Sequence, residues 1–128
     1  MVRGSMYAGA PTDQEAIAFL TDIVSLYSPS GEEGVVARSI VQTMEHLGFE
    51  AEVDAVGNAV GHLGRGERQI VLLGHIDTVP GNIPVHLEGN LLYGRGTVDA
   101  KGPFATLVIA AARAATILGD ALSDLRIT

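Results

Sequence analysis

A continuous apolar run at residues 70–73, Ile-Val-Leu-Leu, most constrains what this 128-residue chain can fold into. Four consecutive apolar residues cannot alternate between core and water, so the run predicts a strand buried on both faces. Such a strand needs helices to cover it, and apolar residues at helical spacing occur at residues 17–27, 36–47 and 101–118. The pattern therefore predicts an α/β fold in which helices pack against a mixed, largely parallel sheet.

Capping and turn signals place the ends of these elements. Thr12 with Glu15, and Ser30 with Glu33, each fit a capping box at the start of a helix. Gly48 is a suitable stop for the second helix. Glu32 and Glu33 form a carboxylate pair, and we interpret them as acids in the first helical turn, where they complement the helix dipole.

Alternating residues and turn signals predict the remaining regular structure. Two hairpins are expected, the first with its turn at residues 57–58 and the second with its turn at residues 88–90. Their strands are residues 49–55 with 59–63, and 85–87 with 91–93. Residues 125–128 begin like another strand.

Charge and composition exclude several classes of protein. Eight basic against fifteen acidic residues give a net charge of −7, which argues against nucleic-acid binding. There is no cysteine, so a metal ion would have to be held by histidine and carboxylates. No uninterrupted apolar run reaches the roughly 18–20 residues of a membrane span, so no membrane partner is expected. Residues 1–5 are interpreted as an expression remnant, and no signal-peptide pattern follows them, so a cytoplasmic location is expected.

The strongest chemical signal follows the apolar run directly, at residues 74–80, Gly-His-Ile-Asp-Thr-Val-Pro. His75 and Asp77 are two residues apart, so in an extended backbone their side chains point the same way. One imidazole nitrogen can then bind a metal while the carboxylate holds the N–H of the other, which fixes the tautomer. By itself the pattern also fits a structural histidine.

A second cluster, Gly-Arg-Gly-Thr-Val-Asp-Ala-Lys-Gly-Pro, occupies residues 94–103. Its Asp99 stands at the start of the third helix, where a carboxylate can bind a cation or cap the helix. The glycine spacing is not that of a nucleotide-binding loop. The histidines outside these clusters, His46, His62 and His86, are assigned no role.

Together the two clusters resemble the dinuclear zinc amidohydrolases, a family that includes acetylornithine deacetylase, succinyl-diaminopimelate desuccinylase and carboxypeptidase G. Ser-Pro-Ser-Gly-Glu-Glu at residues 28–33 is also similar to the early helix start of that family. Val-Asp-Ala-Lys-Gly-Pro at residues 98–103 resembles the branch that releases lysine or ornithine from an amino-group carrier protein or an N-acetyl group. The resemblance implies that residues 6–128 are the amino-terminal portion of a zinc-peptidase-like catalytic domain.

The resemblance also implies residue roles. His75 would ligate one of two zinc ions, for which cobalt is a possible substitute, and Asp99 would bridge both. Asp77 would act catalytically by orienting His75. The peptide bond between Asp99 and Ala100 would be cis. The general base, the first Glu of a Glu-Glu pair, is absent from this chain.

The functional expectation is a hydrolase that cleaves the amide bond of N-acyl amino acids, or of lysine or ornithine linked to a carrier protein. The 128-residue chain alone is expected to be inactive, to hold no metal stably, and to self-associate. Two alternatives are a non-catalytic self-associating α/β module and a peptidase of the same family with a dipeptide substrate. An aspartic-protease motif at Asp77 is disfavoured, because Val79 stands where that motif needs glycine.

Overall fold

The computed structural model describes residues 9–128, so the interpretation of residues 1–5 lies outside it. Its α-helices are α1 (Asp13–Ser25), α2 (Gly34–His46) and α3 (Lys101–Leu118), and a short 3-10 helix, Gly119–Ser123, follows α3. Its strands are β1 (Glu50–Val53), β2 (Ala59–Gly64), β3 (Arg68–Ile70), β4 (His86–Glu88), β5 (Leu91–Tyr93) and β6 (Leu125–Ile127).

The main sheet has the strand order β1-β2-β6-β3. Strand β2 pairs antiparallel with both β1 and β6, whereas β3 pairs parallel with β6. Strands β4 and β5 form a separate antiparallel hairpin. The predictions of a mixed α/β fold and of two hairpins are confirmed, and among the described residues of the main sheet the parallel pairing is confined to β3 and β6.

The core lies between the three helices and the inner face of the sheet. Its side chains come mainly from positions at helical spacing in α1 and α2, from alternate positions of β2, and from the alanine-rich face of α3. Burying one large aliphatic side chain contributes about 1.5–3 kcal/mol to stability. The most fully buried large apolar side chains are Ile23, Ile40, Leu63 and Val36.

The two predicted capping boxes have different outcomes. At α1 the Thr12 hydroxyl accepts from the Glu15 N–H at 3.1 Å and the Glu15 carboxylate accepts from the Thr12 N–H at 2.9 Å, as predicted. The box predicted at Ser30 and Glu33 is wrong. Helix α2 begins only at Gly34 and lacks a side-chain cap, because Glu33 accepts from the Gly31 N–H and Ser30 is bonded elsewhere. Glu32 and Glu33 therefore precede the helix instead of lying in its first turn.

The prediction that residues 70–73 are buried on both faces is also wrong. Strand β3 lies at the edge of the sheet, and Ile70, Val71 and Leu73 are 47%, 55% and 85% exposed. Leu72 alone of the run packs against the core, and its N–H donates to the Thr128 carbonyl at 2.7 Å. The run is exposed because, within residues 9–128, β3 pairs with another strand only on its β6 side.

Helix α3 begins and ends where the sequence predicts, and it is buried along one face. Ile117 is 85% exposed on its outer side. Within the segment Lys101–Ser123, an 18-residue window has a mean hydropathy of 1.5, so by length and composition this helix could cross a membrane and the sequence-based exclusion of such a segment is too strict. Its inner face packs in the protein core, as is usual for a core helix of an α/β domain.

The β1–β2 hairpin is closed by one carboxylate. Asp54 Oδ1 accepts from the backbone N–H groups of Val56 and Asn58, at 3.0 and 2.9 Å, and Oδ2 accepts from the Asn58 amide at 3.0 Å. Because these bonds, those of Asn58 above all, stabilise the charged form, the pKa of Asp54 lies below its usual value. Gly57 completes the turn with a φ of +97°.

Candidate active site

The His75 imidazole lies between two carboxylates. Its Nδ1 is 3.1 Å from Asp77 Oδ1, and its Nε2 is 2.9 Å from Asp99 Oδ1. The structure therefore brings together the three residues that the sequence singled out. Asp77 lies at the Nδ1 side of the ring and Asp99 at the Nε2 side. The prediction that His75 and Asp77 point the same way is confirmed.

The charges around the ring change its proton affinity. Burial lowers the pKa of His75, but hydrogen bonds to the Asp77 backbone carbonyl and the Asp99 carboxylate, with the negative charges of both acids, outweigh it. The net effect is a pKa above the usual value for histidine. The side chains of His75 and Asp99 are 52% and 82% exposed, so this site is open to solvent.

Ser30 is a site residue that the sequence analysis missed. Its hydroxyl donates to Asp77 Oδ2 at 2.6 Å, across 47 positions of sequence. This bond is the main reason that the pKa of Asp77 lies below its usual value. The Ser-x-x-Glu spacing of residues 30–33 fits a helix cap, and no local signal in the sequence indicates that Asp77 competes for the Ser30 hydroxyl.

The segment that carries Ser30 also supports the backbone of the site. Ser28, which is fully buried, donates its hydroxyl to the Ile76 carbonyl at 2.7 Å. The Thr78 N–H donates to the Ser28 carbonyl at 2.9 Å, and the Ser30 N–H donates to the Thr78 carbonyl at 3.3 Å. Residues 28–30 thus run alongside residues 76–78 and hold the His-x-Asp segment in its extended form.

The loop before α3 brings Asp99 to the ring. Gly96 has a φ of +89°, and a Cβ there would lie 2.7 Å from the Thr78 Cγ2, so only glycine lets the loop pass this close to Thr78. The Lys101 N–H donates to the Gly96 carbonyl at 2.9 Å. The alternative in which Asp99 caps α3 is wrong, because the residue at the N-cap is Ala100 and it makes no side-chain cap. The Asp99–Ala100 peptide bond is cis, as the resemblance implied.

Lys101 ties the start of α3 to the end of α1. Its side chain is fully buried, and Nζ donates to the Leu26 carbonyl at 2.7 Å. Burial lowers the pKa of Lys101 to about 8, because the ammonium is removed from water. A lysine this buried was not predicted, since lysine at a helix start is normally solvated.

Ser30, His75, Asp77 and Asp99 line a cleft of about 340 Å³. Its walls come from His75, residues 77–79 and residues 94–99, together with Ser30. A larger and mainly apolar cavity of about 530 Å³ shares His75 and Asp77 with it. We place the candidate chemistry in the smaller cleft, because the titratable side chains converge there.

The three other histidines of the chain lie elsewhere. His46 is exposed at the end of α2, His62 Nδ1 lies 2.9 Å from the Thr128 hydroxyl, and His86 stacks on Tyr93 with ring centroids 4.5 Å apart. None of them lines the cleft.

The cleft offers part of the donor set of a zinc site. An imidazole nitrogen and a carboxylate oxygen are donors that zinc accepts, and the His75–Asp99 separation of 2.9 Å is near the roughly 3.3 Å between two ligand atoms on a tetrahedral zinc ion. Within residues 9–128 no group of three or more His, Cys, Asp and Glu side chains is arranged to hold a metal ion. His75 and Asp99 therefore fit as two ligands of a site that needs more.

The sequence of the site segment matches a known family. Residues 71–121, which include both clusters and most of α3, match the model of peptidase family M20/M25/M40. The resemblance that the two clusters indicated is confirmed over these residues.

Individual members are also similar to the chain. A Deinococcus radiodurans protein named [LysW]-lysine hydrolase is 48% identical over 101 residues, which are 78% of this chain and 28% of that protein. A Saccharolobus islandicus protein named [LysW]-lysine/[LysW]-ornithine hydrolase is 39% identical over 98 residues, 77% of this chain and 28% of that protein. The chain thus spans under a third of the length of these relatives.

Two solved structures of dipeptidases share the fold. Human carnosine dipeptidase 1 is 20% identical with a TM-score of 0.66, over 89% of this chain and 30% of that one. Aminoacylhistidine dipeptidase from Vibrio alginolyticus is 21% identical with a TM-score of 0.51, over 90% of this chain and 27% of that one. At this identity the likeness concerns the fold, and it agrees with the α/β architecture described above.

Proposed function

We propose that this chain contributes the first part of the metal centre of a hydrolase that cleaves the amide bond of an N-acyl amino acid. The observation that carries the proposal is the His75 ring held between Asp77 and Asp99, at 3.1 and 2.9 Å. The names of the relatives, which specify lysine or ornithine joined to LysW, favour a substrate in which the acyl group belongs to a carrier protein.

Each residue has a distinct part in this proposal. When the Nδ1–H of His75 donates to Asp77, the Nε2 lone pair would be available to a metal ion, which would replace the hydrogen bond between Nε2 and Asp99. His75 Nε2 would be a ligand of one metal ion, and the Asp99 carboxylate would be a ligand shared by two. The chemistry that zinc or cobalt supplies when bound is polarisation of the amide carbonyl and a lower pKa for a water molecule. Ser30 keeps Asp77 ionised and oriented.

The donor set among the described residues is incomplete, so we propose that the general base and the remaining ligands come from outside them. It follows that the purified chain supplied with zinc or cobalt should not hydrolyse N-acetyl-lysine or N-acetylornithine. Metal-dependent turnover by the chain that survives His75→Ala would contradict this assignment.

A chimera tests the function itself. The segment of the Deinococcus radiodurans relative that matches this chain is replaced by residues 9–128, and hydrolysis of N-acetyl-lysine and of lysine joined to LysW is measured. We expect activity that His75→Ala and Asp99→Asn each remove. His46→Ala, at an exposed position outside the cleft, is the matched control and should leave activity intact. A chimera that folds and remains active with both His75→Ala and Asp99→Asn would contradict the proposal.

A second candidate, a module that self-associates without catalysis, is favoured by one observation. Residues 70, 71 and 73 expose apolar side chains at the end of the edge strand β3 and just after it, and the backbone groups of that edge are open to pairing with another chain. We propose that two copies of the chain associate through this edge. Sedimentation should show dimers that Leu73→Glu disrupts and Val56→Glu, at another exposed position, does not. A stable monomer at high concentration would contradict it.

A further inference from the structure

Arg95 is a charged residue of the cleft to which the proposed chemistry assigns no part. It is partly buried and lines the same cleft as His75 and Asp99. Within residues 9–128 the arginines that form ion pairs are Arg65 and Arg113, and Arg95 pairs with no carboxylate. A partly buried guanidinium without a counter-ion, facing a cleft, is free to bind an anion.

The guanidinium is held in place by its inner edge. Arg95 Nε donates to the Gly81 carbonyl at 2.6 Å, and the Gly81 N–H donates in turn to the Tyr27 hydroxyl at 2.8 Å. Gly81 has a φ of +110°, and a Cβ there would lie 3.2 Å from Arg95 Nη2. Glycine at this position therefore gives both the backbone conformation and the room that the guanidinium needs.

This arrangement leaves the two terminal amino groups of Arg95 without a protein acceptor among the described residues. The N–H groups of a guanidinium form a planar fork that matches the two oxygens of a carboxylate, and one of them is already fixed by Gly81. An arginine oriented in this way loses little side-chain freedom when an anion binds, which favours binding.

The negative charges of the cleft restrict where an anion can lie. Asp77 and Asp99 repel a carboxylate from the end of the cleft that holds His75, whereas Arg95 attracts it. An amino acid that is acylated on its α-amine keeps a free carboxylate two bonds from the amide nitrogen. A substrate bound by this carboxylate at Arg95 would therefore present its amide bond to the cleft.

We infer that Arg95, held by Gly81, is a carboxylate-binding subsite that recognises the free carboxylate of an N-acyl amino acid. This inference rests on the proposed function for the identity of the ligand. The contacts of Arg95 themselves do not depend on any metal.

Binding is tested on the whole 128-residue chain by nuclear magnetic resonance, with chelator present and at constant ionic strength. The probes are Nα-acetyl-lysine and Nα-acetyl-lysinamide, which differ in the carboxylate alone. We expect the chemical shift of the Arg95 Nε–H to change when the acid is added. The change with the amide should be at least about fivefold smaller. Arg95→Gln should weaken binding of the acid about tenfold. Arg95→Lys keeps the positive charge but lacks the planar fork of N–H groups. Its affinity for the acid should therefore lie between those of the unaltered chain and Arg95→Gln.

Arg68→Gln is the matched control, because Arg68 is an exposed arginine on β3 that lies outside the cleft. It should bind the acid as the unaltered chain does. Equal responses to acid and amide, or equal affinities in Arg95→Gln and Arg68→Gln with the fold intact, would overturn the subsite. Since no metal is present, such a result leaves the chimera test of the proposed function unaffected, and failure of the chimera leaves this binding test unaffected.

Discussion

The helical core and the cleft are stabilised in different ways. In the core, side chains such as Ile23 and Ile40 are entirely buried, and packing of apolar surface holds the elements together. In the cleft, His75 and Asp99 are largely exposed, and their positions depend on hydrogen bonds to residues far away in sequence. Stability and the candidate chemistry therefore reside in separate sets of residues, so they should respond to different substitutions.

The largest expected effect is in the core. Ile40→Ala removes a fully buried side chain of α2 and should lower the free energy of unfolding by about 2–5 kcal/mol, through lost burial and a residual cavity. Val35→Ala, at a 55% exposed position of the same helix, is the control and should change it by no more than about 0.5 kcal/mol. Urea unfolding measures both. Similar losses for the two variants would show that this helix face is not the core.

The next effect is at the boundary between core and cleft. Ser28→Ala leaves the Ile76 carbonyl without its 2.7 Å donor and should cost about 1–3 kcal/mol, with faster hydrogen exchange at the Thr78 N–H. Ser25→Ala removes an exposed hydroxyl that bonds only within α1, so it serves as the comparison. If exchange at Thr78 is unchanged in Ser28→Ala, residues 28–30 do not support the His-x-Asp segment.

A substitution in the cleft should separate stability from metal affinity. Ser30→Ala removes an exposed hydrogen bond and should lower the free energy of unfolding by at most about 1 kcal/mol. Because Asp77 then loses its orientation behind His75, cobalt affinity should fall about 10–100-fold. Ser30→Thr keeps the hydroxyl and should restore most of that affinity. Unaltered cobalt binding by Ser30→Ala would remove Ser30 from the site.

The smallest expected effect lies outside both regions, at the β1–β2 turn. The pKa of Asp54 is lowered in the folded chain, so its stabilising contribution is complete above the unfolded value of about 3.9 and is lost as pH falls through the folded value. Asp54→Ala should therefore lower the melting temperature slightly at pH 7 and by less at pH 3. Glu52→Ala, on the neighbouring strand, is the control. An equal deficit of Asp54→Ala at both pH values would contradict the linkage.

Local patterns were sufficient for much of the fold. The capping box at Thr12, the two hairpins and the span of α3 depend on neighbouring residues, and each was predicted. The exposure of residues 70–73 was not, because burial of a strand depends on what pairs with it and covers it, which an apolar run does not specify.

For the cleft, sequence spacing predicted that His75 and Asp77 share a side, because two positions along an extended backbone suffice for that. Sequence spacing did not predict the hydrogen bond from Ser30 to Asp77 or the one from Arg95 to the Gly81 carbonyl. Those contacts join residues 47 and 14 positions apart and exist only once the segments are folded together.

The central claim, that His75 and Asp99 hold a metal ion, is tested most directly by cobalt titration of the isotope-labelled chain. Paramagnetic cobalt broadens the resonances of nearby residues even when it binds weakly. Broadening should centre on residues 75–78 and 95–100 and disappear in His75→Ala, while His46→Ala leaves it in place. Broadening centred on His62 or His86, or broadening of residues 75–78 that persists in His75→Ala, would contradict the account.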